Sequence, residues 1–197
     1  SCQKYHKLVH PDLHFVYPIA LSKDLRVSSN VIAEWREAFL DNPYLSLDEW
    51  FSKLEAENKQ ATIGQEESGE ILKKLSLTTF EGEYKIMIIW MPEKMNLTAS
   101  NKLLKILEEP PAKTLFLLVT ESEDQLLRTI VSRTQLVRMR KISDAELRDA
   151  LVKRHELAAA DAEKIAFQAD GNYAFARSLL ERSEQAAYNL ATFQKLM

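Results

Sequence analysis

The sequence predicts an α/β protein: a parallel sheet with a crossover helix, followed by a small bundle of helices. Residues 84–90 (Tyr-Lys-Ile-Met-Ile-Ile-Trp) and 114–120 (Thr-Leu-Phe-Leu-Leu-Val-Thr) are apolar runs without period-two alternation, as strands buried on both faces are. Between them, Leu97, Leu103, Leu104, Ile106 and Leu107 leave a mainly polar opposite face, the pattern of an amphipathic helix over 98–109 that Pro110 ends. Strand, helix and strand with this crossover length form a βαβ unit, so both strands are expected to be parallel and central. From Ser143 onward the texture is helical only.

Composition narrows the class. The 197 residues are 46% hydrophobic and 28% charged, enough for one sizeable core or for one domain with a small second one. The apolar runs are far short of the roughly 20 residues that cross a bilayer, and no signal-peptide pattern opens the chain. No membrane partner is expected. The single cysteine, Cys2, rules out an internal disulfide framework and fits a reducing cytoplasm. A net charge of −3 is not the basic footprint of a domain that holds DNA alone, so any nucleic-acid role is expected to be shared with partners. None of the four glycines (Gly64, Gly69, Gly82, Gly171) sits in a GxxxxGK(S/T) or GxGxxG phosphate loop.

Taken in order, Cys2, His6, His10 and His14 recur every four residues, a helix-face spacing of residues that can ligate zinc, but Pro11 interrupts the run. The plainer reading is a polar start and an edge strand over 14–19. Ser28-Ser29-Asn30 is an N-cap cluster before a helix over 31–40, with Trp35 and Phe39 at i, i+4. After the Asn42-Pro43 break, Ser46 and Glu49 form a capping box for a helix with Trp50, Phe51 and Leu54 on one stripe. These aromatics read as packing residues. Residues 55–67 read as a polar surface loop. Ile71, Leu72, Leu75 and Leu77 form the apolar side of the next helix, which leads through Gly82 to the first central strand. A short helix is expected over 123–129 and a short last strand over 136–139. Ser143 and Glu146 box a helix to about residue 155; a second runs over 161–169 to Asp170-Gly171; Asn172 caps a third with Phe175, Leu179 and Leu180 inward.

Two stretches carry a resemblance. Asn-Lys-Leu-Leu-Lys-Ile-Leu-Glu-Glu-Pro-Pro at 101–111 is similar to the NALLKxLEEPP signature of bacterial clamp-loader subunits, and Thr-Ile-Val-Ser-Arg-Thr at 129–134 is similar to their TIxSRC element. The chain resembles the clamp-loader AAA+ family, and within it the delta prime family of DNA polymerase III, most closely over 84–139. The resemblance implies a P-loop-NTPase-like AAA+ core at 1–140, a three-helix lid at 141–183, and the start of a collar helix at 184–197. Cys2 with His10-Pro11-Asp12 looks like the last cysteine of the family's four-cysteine zinc module and its sequel, so the other three cysteines and the P-loop segment would precede Ser1. Cys2 alone cannot hold structural zinc. No cofactor or metal is therefore expected in this fragment; the resemblance leaves zinc as a possibility for the full-length protein only. Against the family, residues 34–60 look partly like an insertion.

The same resemblance assigns roles. Where active relatives end the first central strand in two acids, which hold magnesium and polarise water, this chain has Trp90 and Met91; Glu93 falls in the following loop. Thr120 stands at the sensor-1 position, or else bonds its own backbone. Ala174 replaces the sensor-2 arginine, and Arg177 reads as a solvated residue. Arg133, with Ser132 and Thr134, matches the Ser-Arg-Cys element. Its arginine reaches a neighbouring subunit's ATP, and such fingers supply about 10³–10⁵ in rate. The implied function is an ATPase-fold subunit without its own ATPase, working in DNA polymerase III with gamma/tau and delta subunits, the sliding clamp and primer-template DNA. The alternatives are a gamma/tau-type ATPase, or a zinc-dependent DNA-binding module on Cys2, His6, His10 and His14.

Overall fold

The computed structural model describes residues 2–183. They divide into two compact units between Leu136 and Val137.

The first unit opens with α1 (Cys2–His6) and β1 (Leu13–Val16). The expected edge strand over 14–19 is broken: Pro18 offers no N–H to a ladder, and Ile19–Ala20 forms a separate strand, β2. A 3₁₀ turn over Ser28–Val31 leads into α2 (Ile32–Asp41). Asn30 acts one turn earlier than expected, its Oδ1 accepting from the N–H groups of Arg26 and Val27 at 3.2 and 3.1 Å. Helix α3 (Leu47–Lys53) starts with the expected capping box: Ser46 Oγ accepts from Glu49 N–H at 3.2 Å, and Glu49 Oε2 accepts from Ser46 N–H at 2.7 Å.

The polar stretch that follows is less loop than its composition suggests. Strand β3 (Ala61–Thr62) pairs antiparallel with β2, and α4 runs over Gln65–Ser76. Glu67 lies buried in α4, accepting from the N–H and Oγ of Ser28 at 2.6 and 2.8 Å. Burial pushes its carboxyl above the ordinary range, against the pull of those two bonds. Ile71 and Leu75 face the core, whereas Leu72 and Leu77, expected beside them, are exposed.

The organising stretch follows as β4 (Lys85–Trp90), α5 (Leu97–Glu108), β5 (Thr114–Val119) and α6 (Arg128–Val131). The described sheet is parallel throughout, in the order β1-β4-β5. Strand β4 is central and covered on both faces: Met87 and Ile89 enter a core with Ile71, Leu75, Leu103, Ile106 and Ile130, while Ile88 and Trp90 pack on Tyr17, Trp35 and Trp50. Strand β5 departs from expectation. It lies at an edge of the described sheet, and Leu115, Leu117 and Val119 on its outer face are 46%, 41% and 50% exposed. In α5, Leu103 is fully buried and Ile106 nearly so, whereas Leu104 and Leu107 flank the stripe and are only partly buried. The short helix expected over 123–129 is interrupted. A 3₁₀ turn covers Glu123–Gln125, Leu126 and Leu127 are extended, and α6 begins only at Arg128. Residues 136–139 form no strand, for no described strand pairs with them, and Met139 is 88% exposed.

The second unit consists of α7 (Asp144–His155), α8 (Ala159–Ala169) and a helix over 173–183. Ser143 and Glu146 make the expected box. The turn after α8 takes Asp170 and Gly171 to positive φ (47° and 76°), and a Cβ at Gly171 would stand 2.5 Å from the Ile142 carbonyl oxygen, so only glycine fits. Asn172 Oδ1 caps the last helix by accepting from Phe175 N–H at 3.0 Å. Leu147, Leu151, Ala162, Ala166, Tyr173, Ala176 and Leu180 form the core; Phe175, expected inward, is exposed, and Leu179 is only partly buried. The helix expected over 184–197 lies outside the described residues.

Candidate functional site

Arg133 lies two residues beyond the end of α6, which Ile130 anchors in the core. Its backbone closes the turn by donating to the Ile130 carbonyl at 3.0 Å. The flanking hydroxyls serve the same turn: Ser132 Oγ donates to the Thr129 carbonyl at 3.1 Å, and Thr134 Oγ1 donates to those of Ile130 and Val131 at 3.1 and 3.2 Å. Ser132 and Thr134 therefore shape the turn, and the guanidinium is the group left to act outward. Arg133 Nε and Nη2 both donate to Glu108 Oε1, at 2.9 and 2.5 Å, and Nη1 donates to the Thr129 carbonyl at 3.0 Å. Its side chain is 34% exposed. Glu108 is the last residue of α5, so the end of the helix and the start of the turn meet at this pair.

At the carboxyl end of β4, Trp90 lies 5.0 Å from Trp35, ring to ring, within the aromatic core. Met91 is buried with a left-handed backbone (φ 54°) that starts the 3₁₀ turn over Pro92–Lys94. Neither side chain offers an oxygen to a cation or a proton acceptor to water. Glu93, on that turn, accepts from Thr120 Oγ1 at 2.7 Å, and Thr120 Oγ1 accepts from Ser122 N–H at 3.1 Å. Thr120 thus ties the ends of β4 and β5 together and also bonds its local backbone. Beside Glu93 is a cavity of about 190 Å³ lined by Pro92, Met95, Ser100, Leu126 and Ile130 among others. In the second unit, Ala174 is partly buried, and Arg177 pairs with Glu181 at 3.5 Å on the same helix.

The four candidate zinc ligands are not brought together. Helix α1 ends at His6, before Pro11, so the helix-face alignment of Cys2, His6, His10 and His14 does not arise. Cys2 is exposed, His10 is buried and stacked on Tyr5 at 4.0 Å, and His14 lies in β1, where burial holds its imidazole below the ordinary value. Among the described residues, no three His, Cys, Asp or Glu gather in a metal-holding group.

Sequence reasoning missed the partners of these residues. Glu108 stands 25 positions from Arg133. Asp12 is buried, its carboxylate accepting from the N–H groups of Phe80, Glu81 and Gly82 at 2.7, 2.8 and 2.7 Å. Lys85 turns inward from β4, and its Nζ donates to the Leu75 and Leu77 carbonyls at the end of α4. No local pattern reports pairs so far apart.

Helix α5 with its Pro110-Pro111 end sits in a parallel α/β core, the class of protein that the resemblance to clamp-loader subunits implies. The chain belongs to the family described as DNA polymerase III, delta subunit, whose profile matches residues 1–143. DNA polymerase III subunit delta' of Bacillus subtilis is 28% identical over 155 residues, 78% of this chain and 35% of its own. Subunit delta' of Escherichia coli is 39% identical over 85 residues, 42% of this chain and 25% of its own. Subunit gamma of Buchnera aphidicola is 31% identical over 123 residues, 60% of this chain and 34% of its own. The chain spans about a quarter to a third of the length of these curated relatives. Among the described residues, no helix is long and apolar enough to cross a membrane.

Proposed function

We propose that this chain is the ATPase-fold part of a delta prime subunit, a clamp-loader component that does not hydrolyse ATP itself and serves DNA replication in the cytoplasm. In this reading residues 1–140 are a partial AAA+ core and 141–183 its lid. The assembly it joins, with gamma/tau and delta subunits, places the sliding clamp on primed DNA for DNA polymerase III, the DNA-directed nucleotidyltransferase. Arg133 is the contribution to catalysis: its guanidinium meets the phosphates of ATP bound to a neighbouring subunit, where a permanent, delocalised charge stabilises the transition state.

The observation that carries the reading is the Trp90-Met91 pair. The resemblance puts magnesium-holding and water-polarising acids at these positions, and the chain fills them with an indole packed on Trp35 and a buried thioether. The full-length protein alone is expected to show no magnesium-dependent ATP hydrolysis in a steady-state assay. Turnover at the rate of an active AAA+ subunit would overturn the reading. It would favour a gamma/tau-type ATPase, which the similarity to the Buchnera gamma subunit makes the second reading.

A further inference from the structure

Glu108 holds the guanidinium of Arg133 by one side. A single oxygen, Oε1, accepts from both Nε and Nη2, and the Thr129 carbonyl accepts from Nη1. Among the described residues, its one further contact is at the limit of hydrogen-bond distance, 3.4 Å from Nη1 to Ser132 Oγ. Five N–H donors sit on a planar fork, so these bonds fix the plane and its roll while leaving one Nη2 N–H without a partner among the described residues, on a partly exposed side chain. An arginine on a free stem would have to lose its rotamer freedom at each encounter with an anion. Here the cost is met within the subunit, by a carboxylate at the end of a helix that Leu103 and Ile106 bury in the core. The carboxylate also lies on the Nε side, so a phosphate oxygen approaching the tip need not displace it.

We propose that Glu108 is the positioning residue for Arg133, presetting the guanidinium for a phosphate oxygen on a neighbouring subunit. This role rests on Arg133 acting across the subunit boundary, as proposed for its function. A carboxylate that orients without touching the substrate acts only through the arginine, and this separates it from a merely structural residue.

The test is steady-state ATP hydrolysis by clamp-loader complexes reconstituted with the full-length subunit carrying Arg133→Ala, Glu108→Ala, Glu108→Gln or both alanine changes. Assembly and urea unfolding of each variant are measured in parallel. Glu108→Ala is expected to lower kcat at unchanged KM and to reproduce most of the Arg133→Ala loss. Glu108→Gln, which keeps an acceptor oxygen, is expected to recover part of the lost rate. In the Arg133→Ala background, Glu108→Ala should change kcat by less than about twofold, since the two act as one unit. If Arg133→Ala lowers kcat while Glu108→Ala leaves it unchanged, or if the two losses multiply, the positioning role is overturned and the arginine role stands. If Arg133→Ala itself has no effect, both are overturned.

Discussion

Asp12 shows what a single side chain does in this fold. Burial alone would raise its carboxyl, but the three N–H bonds from residues 80–82, with His10 nearby, hold it below its ordinary value. A carboxyl depressed in the folded state contributes stability that is fully present above the unfolded value and is lost as pH falls through the folded one. Asp12→Asn is therefore expected to cost about 1.5–3 kcal/mol in urea unfolding at pH 7, the range for hydrogen bonds to a charged acceptor. The difference from the unaltered chain should shrink below about pH 4, where the carboxyl of the unfolded chain is protonated. A difference that stays constant as the pH falls well below that value would show that the charge on Asp12 is not what the three N–H groups hold. In the sequence, Asp12 was visible only as part of a His-Pro-Asp segment. Its partners lie 68 to 70 positions away, where neither periodicity nor capping patterns reach.

Helix α5 was legible as an element, since everything that defines it is local: the apolar stripe, and Pro110 just beyond its end. The capping boxes at Ser46 and Ser143 and the Asp170-Gly171 stop were readable for the same reason. Exposure was not, because it depends on what neighbouring elements cover. The chain gives β5 apolar residues on both faces, yet Leu115, Leu117 and Val119 stand half-exposed, and the apolar residues of 136–139 make no strand at all. The same limit narrowed the buried stripe of α5 to Leu103 and Ile106, leaving Leu104 and Leu107 partly buried and Leu97 exposed. Leu103→Ala is expected to cost about 2–5 kcal/mol, as a large-to-small change at a fully buried site. Leu104→Ala, at a partly buried one, should cost about 1–2 kcal/mol, in proportion to the smaller apolar area removed from water. Equal losses, or the reverse order, in denaturant unfolding would show that the helix packs through a different face.

At the scale of the whole molecule, the first unit frames Arg133: parallel strands β4 and β5 flank α5, and α5 delivers Glu108 to the turn that carries the arginine. The candidate role of that turn came from the Thr-Ile-Val-Ser-Arg-Thr element. The ion pair that holds it could be seen only once the chain was folded. An exposed pair adds little to folding, so Arg133→Ala should shift unfolding by no more than about 0.5 kcal/mol. If the guanidinium faces a neighbour's ATP, as proposed, the effect of losing it belongs to the assembly. The direct measurement is steady-state hydrolysis at saturating ATP by complexes reconstituted with the full-length subunit, wild type or Arg133→Ala, with gamma/tau and delta subunits, clamp and primed DNA. Normal assembly is expected, with a lowered turnover number that excess ATP does not restore, as for an interaction made mainly in the transition state. Unchanged turnover in a normally assembled complex would contradict the finger role and leave Arg133 a structural residue paired with Glu108.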